Sequence, residues 1–490
     1  MIKANGRITT RKSGKGDYDS AWIYIPSKVF NDISFPFSDK EEVIIEIQED
    51  GALLIKKSDI LTNIINEYGI ENATLPLLLE KKVKENGDHE FLYYKNDIYT
   101  FKDINNHSNQ IANGLINIFK ELKLRKRPKV SILFQNCPEF IFCWFGVIKA
   151  GGVFSPINNQ WKGEVLKYVL DNSDTQILII EYEFFNDFEK IKAQLPKIKK
   201  IFIKNAPSGF KFSENILDFN TIITSNTKNP NVIVKDWHPM EILYTMGTTG
   251  LPKGVIWRNY LILTGINVGK ELVQLGLNKS DRIYCPVPLS HGIGQIISIL
   301  TAIFYDASVL ITEKFDPLTF WEDVKRYNTT VFIYYWGLLE ELLKQPSSDI
   351  EKEHSLKWVF GFGAPKDIWA SFEKRFKVPV FEGWTLTEAV GITINTLGSK
   401  GGKIGSVGTS VSGYEFKIVD KESNILPPGP DNVGEIVSRS IFPIPLGYYG
   451  NYEWKEEKNR WFHTGDYGYV DNDGFLYYMG RKEEWEIIHE

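Results

Sequence analysis

At 490 residues the chain is longer than one ordinary domain, so two or more are expected. With 43% hydrophobic residues, 24% charged residues and a net charge of −5, its composition is that of a soluble globular protein and argues against a chain-wide nucleic-acid surface. Three cysteines without paired spacing, Cys137, Cys143 and Cys285, argue against a disulfide framework or a zinc site and point to a reducing, cytoplasmic setting.

The first predicted elements are strands. Trp22–Ile25 alternates, and Glu42–Ile47 and Ala52–Ile55 flank the turn Glu49-Asp-Gly51, so residues 1–58 read as a small all-β module ending in a hairpin. Ile25-Pro-Ser-Lys-Val29 followed by these strands resembles the swapped-hairpin fold of AbrB/MazE-type transcription factors, with Gly6-Arg-Ile8 as its first strand. Residues 1–16 carry Lys3, Arg7, Arg11, Lys12 and Lys15 and no acidic residue. Such a cationic edge can contact DNA phosphates, or it can be a solvated terminus on a module used for homodimerisation. No apolar core follows Met1, so no signal peptide is expected.

From Ile60 onward strands and helices alternate. Phe101 to Phe119 has helical periodicity, Val130–Phe134 reads as a buried strand, Trp161 to Leu170 as a helix and Gln176–Ile180 as a strand. Alternation of this kind predicts an α/β fold with parallel sheets covered by helices. The apolar runs Phe140 to Pro156 and Ile296 to Ile311 are broken by Lys149 and Asp306. Neither reaches the roughly 20 residues of a membrane span, so both are expected in the core. Beyond Gly402, short apolar runs between glycines predict a smaller β region.

The segment Tyr244-Thr-Met-Gly-Thr-Thr-Gly-Leu-Pro-Lys-Gly-Val255 concentrates the chemistry. Its glycines let backbone N–H groups turn toward an anion, and its threonine hydroxyls and Lys253 add donors and positive charge. It is not a Walker A loop, because Gly254 rather than Ser or Thr follows the lysine. Together with Lys149-Ala-Gly-Gly152, Gly363-Ala-Pro365, Glu382-Gly-Trp-Thr-Leu-Thr-Glu388, Gly405-Ser-Val-Gly408, Gly434-Glu-Ile436, Gly447-Tyr-Tyr449, Thr464-Gly-Asp466 and Gly480-Arg481, it resembles the motif series of the adenylate-forming superfamily, over about residues 62–482. The pattern is most similar to acyl-CoA and carnitine-CoA ligases.

The resemblance implies a large adenylate-forming domain over 62–480, with two helix-covered sheets and a small β-barrel region, preceded by the β module of 1–58. It implies ATP, Mg2+ and CoA as cofactors and a small carboxylic acid as substrate. Thr245, Gly247, Thr248, Thr249, Gly250 and Lys253 would hold phosphates, and Glu388 would bind the metal. Trp384 would stack on adenine, or alternatively pack in the core. Thr387 would meet the α-phosphate, and Asp466 and Arg481 the ribose. His291 would sit near the carboxylate, and Trp336, Gly363, Gly383 and Thr385 would line the acid pocket. Lys253, Thr387, Glu388 and His291 form the catalytic set.

The sequence stops within a hinge motif, Gly480-Arg-Lys-Glu-Glu484, so 481–490 reads as a hinge remnant. Activation of the acid is therefore expected to be slow or to depend on a separately encoded C-terminal domain. The alternative is an ATP/acyl-ligand-sensing regulator that binds DNA through residues 1–58.

Overall fold

The computed structural model describes residues 7–12, 19–24, 43–47, 53–57, 74–125, 127–245, 250–259, 262–388, 391–395, 402–440, 445–450, 461–483 and 485. The chain divides into two compact units, Met1–Gly69 and Ile70–Glu490. In the first, β1 (Arg7–Lys12) pairs antiparallel with β2 (Asp19–Tyr24), and β3 (Val43–Ile47) with β4 (Leu53–Lys57). The expected cationic side chains of residues 1–16 lie outside the described residues.

The second unit begins with the helix Leu75–Asn86. Its strands follow in order: β5 (Glu90–Tyr94), β6 (Asp97–Thr100), β7 (Lys129–Leu133), β8 (Val153–Pro156), β9 (Ile177–Glu181), β10 (Lys200–Lys204), β11 (Ile216–Asp218), β12 (Pro239–Thr245) and β13 (Lys253–Arg258). Then come β14 (Arg282–Cys285), β15 (Ser308–Ile311), β16 (Val331–Tyr335), β17 (Trp358–Phe362), β18 (Val380–Thr385), β19 (Ile392–Asn395) and β20 (Thr409–Ser410). The last five are β21 (Tyr414–Val419), β22 (Gly434–Ser440), β23 (Pro445–Tyr448), β24 (Phe462–Val470) and β25 (Leu476–Arg481).

These strands build three sheets. One has the order β11-β10-β9-β7-β8-β12-β13-β23, parallel as far as β12 and antiparallel from there. The second has the order β20-β19-β18-β17-β16-β14-β15-β5-β6, with a parallel centre and antiparallel edges. The third, β21-β22-β24-β25, is antiparallel. Of the β-barrel region expected beyond Gly402, the described residues include this four-stranded sheet, with β21 and β25 as its edges.

Local sequence explains the central elements. All of Ile177–Glu181 is buried, as a strand covered on both faces must be. The helix Phe101–Glu121 starts at a capping box, with Thr100 and Asp103 each satisfying the other's backbone N–H. The helix Pro138–Lys149 has proline at its first turn, and every residue but Glu139 is buried. Its last residue, Lys149, is buried too. Its ammonium has Glu80 at 3.2 Å, Asn105 at 2.6 Å, Asn109 at 2.9 Å and Asn229 at 3.1 Å, and burial lowers its pKa to about 8 despite Glu80. A buried ammonium persists because oxygen acceptors replace its water. Cys137, Cys143 and Cys285 are buried free thiols, and no helix among the described residues is long and apolar enough to cross a membrane.

In the second sheet β14 connects to β15 on one side and then to β16 on the other. Open parallel sheets bind ligands beyond the carboxyl ends of their strands where the order reverses in this way. The segments leaving β14, β16, β17 and β18 carry His291, Trp336, Gly363 and Glu388.

Candidate active site

The phosphate motif lies between paired strands. Thr245 at the end of β12 stands opposite Lys253 at the start of β13. The hairpin between them returns through Gly250, whose φ of 121° suits glycine. Gly247, Thr248 and Thr249 lie outside the described residues. On the far side of β13 comes β23, from almost two hundred residues later, pairing Tyr448 with Val255. That pairing sets the Tyr448 ring 5.5 Å from the Lys253 ammonium. The Tyr448 hydroxyl donates to Glu388 Oε1 at 2.5 Å. Glu388 is buried, and the preceding Thr387 carbonyl accepts from Trp257 Nε1 of β13 at 2.8 Å. The candidate phosphate lysine and the candidate metal ligand are therefore linked through one tyrosine.

A second group lies between β18 and the small sheet. Trp384 Nε1 donates to Asp466 Oδ2 at 2.8 Å. The indole is 5% exposed and packs with Leu386, Val407, Ile418, Ile436 and Leu476. Trp384 thus takes the packing role, with its N–H aimed at the ribose candidate; little of its face is open to a base in this structure. Asp466 stands opposite Arg481 across β24 and β25, with Arg481 Nη1 3.0 Å from Oδ1. The carboxylate is 3% exposed, and burial raises its pKa to about 6, against the lowering effects of Arg481 and the Trp384 hydrogen bond. A carboxylate half-supplied with donors and facing an arginine suits a diol.

His291 is exposed, and its Nδ1 accepts from the Ile293 N–H at 3.2 Å. In the neutral ring this leaves Nε2 as the N–H donor. A π-helical stretch, Ile293–Leu300, follows, a form often found at functional sites. The turn before His291 is held from below. Asn136 donates to the Val287 carbonyl at 2.9 Å and accepts from the Leu289 N–H at 2.8 Å, and Gln295 donates to the Leu289 carbonyl at 2.9 Å. Gln295 also donates to the fully buried Glu241, as does Trp144 Nε1.

Trp336 is 69% exposed with φ 37°, and its ring rests on Gly363, whose own φ is 89°. A methyl group on Gly363 would meet Trp336 Cδ1 at 2.4 Å. Thr385 is half-buried at the end of β18, and Gly383 lies tight against the Thr393 carbonyl of β19. Tyr448, Trp257, Asn136 and Glu382 were not among the sequence candidates. Tyr448 lay inside the noted Gly447-Tyr-Tyr449 run, but its role depends on a strand partner that local pattern does not name.

The family described as AMP-binding enzyme matches residues 79–449 of this chain. The chain belongs to that family. This AMP-binding enzyme is 30% identical over 393 residues to a crotonobetaine/carnitine–CoA ligase of Salmonella paratyphi B, covering 76% of the present chain and 73% of the relative. It is 28% identical over 421 residues to mouse (Mus musculus) long-chain fatty acid transport protein 6, covering 80% of the present chain and 66% of the mouse protein. Among solved structures it resembles the anthranilate CoA ligase AuaEII in complex with anthranoyl-AMP. That likeness has a TM-score of 0.73 and 26% identity, over 84% of this chain and 78% of the other.

Proposed function

We propose that this AMP-binding enzyme activates a small or medium organic acid with ATP and passes the acyl group to CoA. The carboxylate oxygen attacks the α-phosphorus and the bond to pyrophosphate breaks, giving an acyl-adenylate. The CoA thiol then attacks the acyl carbon, AMP leaves and the thiol proton goes to solvent. The observation that carries this reading is the contact series Lys253–Tyr448–Glu388, with Trp384–Asp466–Arg481 as its ribose counterpart.

In this reading Lys253 draws off the charge that builds on the departing pyrophosphate, as a fixed cation does best in a low-dielectric site. Glu388 would hold magnesium with one carboxylate, phosphate oxygens completing the shell; among the described residues no group of three or more candidate ligands gathers. When bound, the metal neutralises phosphate charge. Thr245 and Gly250 flank the phosphates with Gly247, Thr248 and Thr249, and Thr387 faces the α-phosphate. Asp466 accepts from the ribose hydroxyls and Arg481 donates to them. His291 donates from Nε2 to the acid carboxylate. Trp336, Gly363, Gly383 and Thr385 bound the acid, and the broad exposed Trp336 face favours an aromatic or otherwise flat acyl group. The named acids of the ligase relatives, crotonobetaine, carnitine and anthranilate, support a compact acid.

Pyrophosphate release with Mg-ATP and a panel of short, medium and aromatic acids tests this. Acid-dependent release is expected, and its loss in a Lys253→Ala, Glu388→Ala double variant. Absence of both pyrophosphate release and calorimetric nucleotide binding would sink the reading.

A further inference from the structure

Glu382 is an acid in an apolar strand, and the proposed chemistry leaves it without a task. It is 2% exposed. Its Oε2 accepts from the Gly363 N–H at 3.0 Å and its Oε1 from the Ala364 N–H at 2.7 Å. The buried Tyr334 hydroxyl also donates to Oε1. These partners come from β16 and from the turn after β17, and all are neutral. The turn itself is the opposite of buried: Gly363 is exposed, left-handed, and carries the Trp336 ring. Trp336 is tied to the same strand end by its N–H, which donates to the Phe362 carbonyl at 2.7 Å.

A buried carboxylate costs free energy unless its oxygens are occupied. Here the occupants are backbone amides of a solvent-facing turn, which would otherwise bond to water. The carboxylate therefore stabilises one orientation of that turn, with both amides pointing down and the glycine Cα face pointing up to the indole.

We propose that Glu382 is a positioning residue: it holds the Gly363–Ala364 turn, and so fixes the height of the Trp336 ring against which the acid is read. This deepens the ligase reading and rests on it. Glutamine at this position offers one acceptor oxygen and an NH2 group, which cannot accept from the second amide. Tyr334→Phe leaves both amide contacts in place.

The test uses the full chain. In Glu382→Gln, deuterium uptake at the Gly363 and Ala364 amides should rise about tenfold, and the acid KM for pyrophosphate release about tenfold. Calorimetric Mg-ATP affinity should stay within about threefold. Tyr334→Phe should keep wild-type uptake and acid KM. If Glu382→Gln does not fold, Gly363→Ala lifts the indole without touching the carboxylate and should raise acid KM alone. Unchanged uptake, equal losses for acid and ATP, or a Tyr334→Phe variant that matches Glu382→Gln would each overturn the proposal. Absence of acid-dependent release in the wild type would instead remove the ligase reading and with it the acid-reading role, while deuterium uptake would still show whether the carboxylate holds the turn.

Discussion

Replacing Trp384 with phenylalanine removes one donor from Asp466 and keeps an aromatic ring in the pocket. In the wild type Asp466 is pushed up to about 6, burial being the largest cause, and Glu388 and Glu435 adding to it. The Trp384 N–H and Arg481 oppose that rise. A hydrogen bond to a charged group is worth about 1.5 kcal/mol at the low end, and one pKa unit is about 1.4 kcal/mol. The variant should therefore titrate about one unit higher, near 7. If the ionised carboxylate receives the ribose, kcat/KM for ATP falls as pH drops through about 6 in the wild type and through about 7 in the variant. At pH 5.5 the difference is about eightfold, while at pH 8 it nearly vanishes. Stability runs the other way. A carboxyl group whose folded pKa lies above its unfolded value contributes stability that is present below the unfolded value and lost as pH rises through the folded one. If Asp466 receives the ribose, it does so best in the range where its charge destabilises the fold. The assay is pyrophosphate release against pH at sub-saturating ATP. An acid limb that stays at the same pH in Trp384→Phe would refute the argument.

Two further outcomes follow from other contacts. Tyr448→Phe removes the hydroxyl from Glu388 but keeps the ring beside Lys253, so a Mg2+ titration of pyrophosphate release should show about a tenfold higher requirement. Glu241 is pushed up to about 8 by burial, against the lowering effects of its hydrogen bonds from Gln295 and Trp144. Its stabilising contribution is complete below the ordinary carboxylate range and is lost as pH rises toward 8, so Glu241→Gln should flatten the decline in urea stability between pH 5 and pH 8.

The parallel sheets were legible because their strands are continuous apolar runs: Ile177–Glu181 is buried from end to end, as its sequence suggests. The helix beginning at Phe101 was legible from its period, and Thr100 with Asp103 supplies the start signal. The motif residues were legible by type and order. Their partners were not. Tyr448 meets Glu388 only because β23 returns to β13, and no local period encodes a partner so distant in sequence. Trp384 reads as a platform for adenine, with core packing as the alternative; its 5% exposure depends on the β21-β22-β24-β25 sheet that covers it. Glu382 opens the motif that ends at Glu388, but the sequence does not mark the turn amides it serves.

The β13–β23 pairing also orders events during synthesis. Most of both large sheets is specified before residue 400 emerges, and chains of this size fold in stages. The strand that brings Tyr448 to Glu388 and Lys253 is made after both of those residues. Contacts of such long sequence separation form late because loop closure must precede them. A nascent chain can therefore hold most of both large sheets with Lys253 and Glu388 still uncoupled, and the contact that joins them waits for β23.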